Sequence, residues 1–165
     1  MKHVILTIVL LLASGLVIAQ TKMSDQLSKT TKMNAQSKIY FAGGCFWGTE
    51  HFMKQINGVT STQVGYANGK TSIKNPTYEQ VCNDNTGFAE TVEVSYDPQQ
   101  ADLKLLLELY FKTIDPTSLN RQGNDRGSQY RTGIYYTNAA DLPIIKEAIE
   151  TLAKKYSKPI VVEVE

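Results

Sequence analysis

The sequence predicts an α+β domain of two layers, in which helices pack on a mostly antiparallel, mixed sheet. Three observations lead to this fold class. Residues 90–96 alternate between apolar and polar side chains, which indicates a half-buried strand. Residues 102–114 place their large apolar side chains on one face of a helix. Short predicted strands and helices also alternate irregularly along the chain, an order that favours helices packed on one sheet.

The remaining elements follow from local periodicity and from the turn residues at their ends. Asn57 and Gly58 end the first helix, and Asp115 with Pro116 stops the clearest one. In chain order we expect a strand at 38–42, a helix at 46–56, a strand at 59–66, a loop at 67–76, a helical turn at 78–81, a strand at 90–96, a helix at 102–114, a long polar loop at 117–129, a strand at 131–137, a helix at 140–156 and a last strand at 159–164.

Length and composition indicate one ordinary globular domain. The chain has 165 residues, of which 42% are hydrophobic and 20% are charged, enough for a single core. Its formal net charge of +1 gives no reason to expect nucleic acid or an anionic membrane as a partner.

The first residues are typical of a secretory signal peptide. Lys2 precedes an apolar run at residues 4–19, and small residues stand before a cleavage site after Ala19. An uncleaved membrane anchor is the alternative, but the run is shorter than the roughly 20 residues that a span usually needs. We therefore expect a signal peptide at 1–19, a flexible linker at 20–37 and a folded domain at 38–165, exported to the periplasm or secreted without stable membrane insertion.

The residues around Cys45 are the ones that indicate a chemical function. This cysteine follows Gly43 and Gly44 at the point where a predicted strand gives way to a helix, and Phe46 and Trp47 come next. Backbone N–H groups at a helix start are unpaired and carry partial positive charge, which stabilises an anionic sulfur. The sequence therefore predicts a nucleophilic or redox-active cysteine, although a free cysteine can also be a small buried hydrophobe.

The chain has few other reactive side chains, and this limits the types of reaction that Cys45 can carry out. Beyond the signal peptide the chain keeps only Cys45, Cys82 and His51 of the cysteines and histidines, and no metal-ligand spacing is visible. His51 lies six residues after Cys45, on a different face of the helix, so a cysteine–histidine dyad is disfavoured. A Cys-x-x-Cys motif is absent. The two cysteines could form a disulfide; otherwise Cys45 works with a proton donor such as Glu or Tyr on a soft, neutral substrate.

Four segments resemble the peptide methionine sulfoxide reductase A family. Residues 44–50, Gly-Cys-Phe-Trp-Gly-Thr-Glu, are similar to its Gly-Cys-Phe-Trp-x-x-Glu signature. Residues 75–82, 86–90 and 122–131 resemble its Asn-Pro-x-Tyr, Thr-Gly-His-Ala-Glu and Gly-x-Asp-x-Gly-x-Gln-Tyr-Arg segments in the same order. The resemblance covers residues 39–164 and implies a ferredoxin-like core. It also implies a cofactor-free enzyme that reverses one epimer of methionine sulfoxide.

The resemblance implies a role for four side chains in the reduction. Cys45 attacks the sulfoxide sulfur and becomes a sulfenic acid. Glu90 donates a proton to the oxygen, and Tyr78 and Tyr130 hydrogen-bond that oxygen. Without the resemblance, the sequence favours a solvated charge at a strand start for Glu90, and Tyr78 and Tyr130 are only two of nine tyrosines.

Three further residues are implied to bind substrate. Phe46 and Trp47 form an apolar wall for the S-methyl group, using sulfur–aromatic contact. Asp125 orients the substrate. On sequence alone, the two aromatic residues are equally well helix core, and Asp125 is ordinary turn chemistry.

The implied partners are oxidised methionine, free or in proteins, and a thioredoxin-like protein or small dithiol as reductant, with the enzyme acting as a monomer. Phe88 stands where the family usually has histidine, and Asn68 where it commonly has glycine. The usual C-terminal tail with resolving cysteines is also absent from the sequence. The sulfenic acid is therefore reduced either directly by an external thiol or through Cys82, a candidate resolving thiol.

Two alternative functions fit the residues less well. A one-cysteine thiol peroxidase would consume hydrogen peroxide and would have no need of a methyl-sized aromatic pocket. An inactive module that binds methionine-containing peptides would use the aromatic residues without oxidising Cys45.

Overall fold

The computed structural model describes residues 36–83 and 86–165; the predicted signal peptide and nearly all of the predicted linker lie outside these residues. The described residues form helices α1 (Phe46–Met53), α2 (Tyr78–Cys82), α3 (Leu103–Phe111) and α4 (Asp141–Ala153), and a 3-10 turn (Ser128–Tyr130). Their strands are β1 (Ser37–Gly43), β2 (Val59–Ala67), β3 (Ala89–Tyr96), β4 (Arg121–Gln122), β5 (Asp125–Arg126), β6 (Thr132–Tyr135) and β7 (Glu163–Val164).

Five of these strands form one sheet in the order β2-β3-β1-β6-β7. The first three pairings are antiparallel and the pairing of β6 with β7 is parallel. The predicted fold class, a mostly antiparallel mixed sheet with helices packed on it, is therefore confirmed. Strands β4 and β5 form a separate hairpin.

Helix α3 shows how the sequence pattern builds the core. The Asp102 carboxylate accepts a hydrogen bond of 2.8 Å from the backbone N–H of Leu105 and so caps the helix. Tyr110 on the same helix is fully buried, its ring stacks on Phe41 of β1 with centroids 4.6 Å apart, and its hydroxyl donates to the carbonyl of Ala42 at 2.7 Å. The helix is thereby fixed against the strand that leads to Cys45.

The prediction that the strand at 90–96 is half-buried is wrong, because β3 is buried on both faces. One face contributes Val92 and Val94 to the main core, as the alternation predicts. The other face includes Ala89 and Thr91, which are buried as well. On this second face Ala89 packs with Ala42 of β1 and Tyr135 of β6 in a smaller apolar cluster, so side chains of neighbouring strands cover it.

Several predicted elements end earlier than the periodicity suggests. After α1 and α4 the chain continues for a few residues with tighter hydrogen bonds to the third preceding carbonyl, as from Ile56 to Met53 and from Tyr156 to Ala153. Strand β7 is short because the N–H of Val161 donates to Pro116 outside the sheet. The predicted polar loop at 117–129 instead contains the β4–β5 hairpin and the start of the 3-10 turn. In the part of the chain that the structure describes, no helix is both long and apolar enough to cross a membrane.

Candidate active site

Cys45 lies between the end of β1 and the first residue of α1, as the sequence predicts. Gly44 has a φ of +82°, and a Cβ atom there would lie 2.6 Å from the Cβ of Gln122. Glycine is therefore required both by the backbone and by the close approach of the β4 strand. Cys45 is the N-cap residue of α1, is half-buried and carries a free thiol.

Glu90 is hydrogen-bonded to the residue that follows Cys45. It lies in β3, only 2% of its surface is exposed, and its Oε2 accepts a 3.0 Å hydrogen bond from the backbone N–H of Phe46, the residue after Cys45. Burial raises the pKa of this carboxyl, the hydrogen bond from Phe46 opposes the rise, and the charge of Asp125 adds to it. The net effect raises the pKa, so the protonated form, which can donate a proton, persists to a higher pH than in an ordinary glutamate.

Three aromatic side chains surround the start of α1. The ring of Phe46 lies 6.2 Å from Trp47 and 5.9 Å from Tyr66, measured between centroids, with both pairs tilted. Trp47 is 71% exposed, so it does not belong to the helix core. Its open face can contact a ligand, whereas Phe46 is partly buried and packs against the core.

Tyr66 is a site residue that the sequence reasoning missed. It pairs with Glu90 across β2 and β3, so the two side chains project from the same face of the sheet. Burial raises the pKa of Tyr66, and the charge of Glu90 raises it further. Alternation along residues 59–66 could have placed Tyr66 on one face, but only the strand register shows that this face also carries Glu90.

Tyr78 and Tyr130 come together although 52 residues separate their positions in the sequence. Helix α2 places Tyr78 in its first turn, where Thr77 and Gln80 form a reciprocal capping box. The Tyr78 hydroxyl interacts with the thiol of Cys82, one turn later, and with the hydroxyl of Tyr130, and these contacts raise the pKa of Tyr78 well above its usual range. The bond with Tyr78 lowers the pKa of Tyr130, but burial and the charges of Glu90 and Asp125 outweigh it and raise the pKa overall. Both hydroxyls are therefore protonated donors at neutral pH.

Asp125 reaches the site through the β4–β5 hairpin. Gln122 anchors this hairpin, since its side-chain oxygen accepts from the N–H of Asp115 at 2.8 Å and its amide donates to the Asp115 carbonyl at 2.9 Å. Asp125 pairs directly with Gln122, which contacts Gly44 beside the nucleophile. The charge of Asp125 contributes to the raised pKa of both Glu90 and Tyr130.

The geometry links these predicted residues into one neighbourhood, and it places Cys82 at the edge of it through Tyr78. No group of three or more histidine, cysteine or acidic side chains is placed to hold a metal ion within residues 36–83 and 86–165. A free thiol one residue before the N–H that bonds a buried acid, with two hydroxyl donors of which one lies in the field of that acid, supplies the groups needed to take an oxygen atom from a soft substrate and protonate it. The fold and this arrangement together define a thiol-based oxidoreductase.

Comparisons with known proteins give the particular family. The family model for peptide methionine sulfoxide reductase matches residues 37–165. A curated relative, peptide methionine sulfoxide reductase MsrA of Lachnoclostridium phytofermentans, is 63% identical over 126 residues, or 76% of this chain and 75% of the relative. This chain belongs to the peptide methionine sulfoxide reductase family, and it is an oxidoreductase for thiol-dependent reduction of methionine sulfoxide.

Solved structures agree with this assignment. Methionine sulfoxide reductase A of Corynebacterium diphtheriae superposes with a TM-score of 0.69 at 35% identity; the match covers 79% of this chain and 65% of that one, just under two thirds of its length. Reduced Mxr1 of Saccharomyces cerevisiae gives a TM-score of 0.73 at 37% identity, covering 78% and 74% of the two chains. Mxr1 in complex with Trx2 gives 0.57 at 28% identity, covering 77% and 73%.

Proposed function

We propose that this protein reduces the S epimer of methionine sulfoxide, free or in proteins, by transferring the sulfoxide oxygen to Cys45. The observation that carries this proposal is the hydrogen bond between Glu90 and the backbone N–H of Phe46. It brings a buried carboxyl, with a pKa raised mainly by burial, next to the residue that bears the nucleophile. A proton donor beside a sulfur nucleophile is what the departure of a sulfoxide oxygen requires.

The proposed reaction uses one nucleophile and one acid. The thiolate form of Cys45 bonds to the sulfoxide sulfur while Glu90 gives a proton to the oxygen. The hydroxyl group then moves from the methionine sulfur to the Cys45 sulfur. The sulfur–oxygen bond to methionine and the new sulfur–sulfur bond both break, and methionine leaves with the electron pair of the sulfur–sulfur bond. Two electrons have moved from Cys45 to the substrate, and Cys45 is left as a sulfenic acid.

The tyrosines bind the oxygen during this transfer. Tyr78 and Tyr130 already interact through their hydroxyls, and both have raised pKa values, so both keep their protons. Two positioned donors stabilise the negative charge that develops on the oxygen as the sulfur–oxygen bond polarises. Asp125 supports this arrangement through its charge on Glu90 and Tyr130.

The aromatic residues select the methyl group. Phe46 and Trp47 present adjacent tilted rings, and thioether or sulfoxide sulfur makes favourable contact with aromatic rings. The exposure of Trp47 leaves room for a methionine side chain that projects from the surface of a protein. Oxidised proteins are therefore substrates as well as the free amino acid.

A thioredoxin-type dithiol returns Cys45 to the thiol. This part of the proposal is supported by the likeness to Mxr1, a protein with a solved complex with Trx2, and by the partial exposure of Cys45, which leaves it within reach of an external thiol. We propose further that the enzyme works as a monomer.

We also propose that the protein acts outside the cytoplasm after cleavage behind Ala19. The support is the apolar run at residues 4–19 of the sequence. Cell fractionation with N-terminal sequencing of the recovered protein tests it: a periplasmic or secreted chain that begins at Gln20 is expected. A cytoplasmic chain that retains Met1 would contradict it, and an uncleaved chain in the membrane fraction would indicate an anchor.

A thiol-free turnover tests the proposed chemistry. Reduced protein is mixed with each epimer of a methionine sulfoxide peptide without any reductant. We expect about one methionine per protein from the S epimer only, with one oxygen-equivalent of oxidation at Cys45 by mass spectrometry. Peroxide consumption without methionine release would instead indicate a thiol peroxidase, and tight binding without oxidation of Cys45 a binding module.

A further inference from the structure

Glu163, in the last strand, is the centre of a polar cluster that the sequence reasoning did not single out. Its Oε2 accepts hydrogen bonds from Arg131 Nε at 2.8 Å, from the Tyr135 hydroxyl at 3.1 Å and from Asn68 Nδ2 at 3.2 Å. These four residues are called the Glu163 clamp below. One carboxylate oxygen thus joins β7 to two other segments of the chain, β6 with the residue before it and the end of β2.

Arg131 extends the clamp toward the active site. Its Nη1 donates at 3.1 Å to the carbonyl of Ser128, which also accepts the backbone N–H of Arg131 at the end of the 3-10 turn. Its Nη2 donates to the backbone carbonyl of Asn68 at 2.9 Å. Arg131 is only 9% exposed, so its planar guanidinium connects the turn, the end of β2 and β7 from a buried position.

The segments held in this way carry two active-site tyrosines. Tyr130 immediately precedes Arg131, and Tyr66 lies two residues before Asn68. Tyr66 pairs with Glu90 across the sheet and contacts the ring of Phe46. Small displacements of groups that orient a reacting atom cost large factors in rate, so the clamp lies where its geometry can affect catalysis.

The Glu163 clamp depends on the side chain of Asn68 as well as on the backbone conformation at this position. The φ of Asn68 is +53°, in the left-handed region that asparagine tolerates and glycine adopts freely. Its side chain contributes the bond to Glu163, which a glycine could not make. The β6–β7 pairing involves two residues of β7, and the backbone of Glu165 bonds to Ile134 and Tyr136 directly after it. The side-chain bonds to Glu163 are a further tie between this strand and its neighbours.

We propose that Glu163 is a positioning residue for methionine sulfoxide reduction. Through Arg131 and Asn68 it fixes the turn that carries Tyr130 and the strand end that carries Tyr66. This inference rests on the proposed role of Tyr130 as an oxygen-binding donor, and it assigns no contact between Glu163 and substrate.

A double-mutant cycle tests the proposal, with the single-turnover rate of methionine release as its readout. Glu163→Gln and Asn68→Gly are each made in the wild-type protein and in a Tyr130→Phe background. In the wild-type background we expect each to lower the rate by roughly tenfold or more, with little change in the KM for sulfoxide, because Phe46 and Trp47 are untouched. In the Tyr130→Phe background the same substitutions should cost much less, since the hydroxyl that they misplace is already gone.

The cycle separates positioning from a general loss of structure. Asn68→Gly deletes one side-chain bond and keeps the backbone conformation accessible. This variant therefore tests the proposal even if Glu163→Gln fails to fold. Glu147→Gln is the matched control: its carboxylate pairs with Lys104 at 3.1 Å on the surface, and the rate should not change in either background. If these substitutions lower the rate equally with and without the Tyr130 hydroxyl, or do not lower it at all, the positioning role of Glu163 is wrong. A Tyr130→Phe protein as fast as wild type would overturn the role proposed for Tyr130, whatever Glu163 does.

Discussion

Glu90 and Phe46 are joined by a 3.0 Å hydrogen bond from the backbone N–H of Phe46 to the carboxylate oxygen of Glu90. The bond connects the interior of the sheet to the first residue of α1, directly after Cys45. Its effect on Glu90 is opposite to that of burial, because an N–H donor favours the charged form whereas burial favours the neutral one. Burial is the larger effect, so this carboxyl keeps its proton to a higher pH than an ordinary glutamate does.

Replacement of Glu90 by glutamine should remove the proton donor while preserving the acceptor for Phe46. We expect Glu90→Gln to lower the single-turnover rate by about 10²- to 10⁴-fold, the range typical of general acid catalysis. The descending limb of the wild-type pH–rate profile, which reports loss of the Glu90 proton as pH rises through its raised pKa, should disappear. Stopped-flow or quenched measurements between pH 5 and 9 check this, and an unchanged rate with an unchanged limb would show that another group donates the proton.

The same substitution should increase stability at neutral pH. Because the folded-state pKa of Glu90 lies above its ordinary value of 4.5, its contribution to stability is full below that value and is lost as pH rises through the folded pKa. Glutamine carries no such penalty, so the free energy of unfolding of Glu90→Gln should exceed that of wild type at pH 7 and approach it at pH 4. Urea denaturation at both pH values measures the difference.

A control variant isolates burial as the cause of that gain. Glu93 lies in the same strand but pairs with Lys38 at 2.6 Å near the surface. Glu93→Gln should bring no increase in the free energy of unfolding at pH 7. A gain equal to that of Glu90→Gln would mean that removing any acid from β3 is sufficient.

Local periodicity was sufficient for most of the fold, because helix and strand patterns are carried by residues near one another in sequence. It predicted α3 from its leucines and β3 from its valines. It failed for the β4–β5 hairpin, whose position depends on the side chain of Gln122 bonding both the N–H and the carbonyl of Asp115. It also overextended β7, since the bond from Val161 to Pro116 is a tertiary contact.

The residues of the candidate site likewise differ in whether the local sequence is enough to identify them. Cys45 follows from its place between a strand and a helix, but the role of Glu90 required the family resemblance, because nothing local distinguishes it from a solvated carboxylate. Tyr66 was missed because its relation to Glu90 exists only in the register of β2 and β3. Glu163 was missed for a similar reason, since its three donors come from distant parts of the chain.

The two tyrosine hydroxyls should contribute unequally if each is removed alone. Tyr78 is 53% exposed, whereas Tyr130 interacts with Tyr78 and lies in the field of both Glu90 and Asp125. We expect Tyr130→Phe to lower the rate by roughly 10²-fold and Tyr78→Phe by less, since loss of one donor to a developing oxyanion costs about that much. The two losses should not add, because each hydroxyl orients the other.

A distant tyrosine provides the control for these variants. Tyr156 lies beyond the end of α4, where its N–H bonds to Ala153, and Tyr156→Phe should leave the single-turnover rate unchanged. If Tyr78→Phe and Tyr130→Phe also match wild type, the oxygen is not held by these hydroxyls.

Trp47 should affect substrate binding more than chemistry. Its ring is largely exposed and tilted against Phe46, so Trp47→Ala removes an aromatic contact to sulfur without opening the core. A sulfur–aromatic contact is worth about 0.3–1.5 kcal/mol, and we expect the KM for methionine sulfoxide to rise by a corresponding factor of roughly 2 to 12. Trp47→Phe should recover part of that loss, whereas a fall in kcat with an unchanged KM would contradict a binding role.

Replacement of Cys82 tests how Cys45 is returned to the thiol after each turnover. The Cys82 thiol interacts with the hydroxyl of Tyr78 at the edge of the site, yet Cys45 is itself partly exposed and open to an external thiol. We therefore expect Cys82→Ser to release one methionine in the absence of reductant, to accumulate a sulfenic acid that a dimedone-type reagent traps, and to be regenerated by thioredoxin as wild type is. If the sulfenic acid of wild type instead condenses with Cys82 and releases one water molecule, the protein becomes two hydrogens lighter than its reduced form. If Cys82→Ser in addition cannot be regenerated, Cys82 is the resolving thiol. Intact-mass spectrometry of both proteins after one turnover distinguishes these outcomes, because a sulfenic acid retains the transferred oxygen and a disulfide does not.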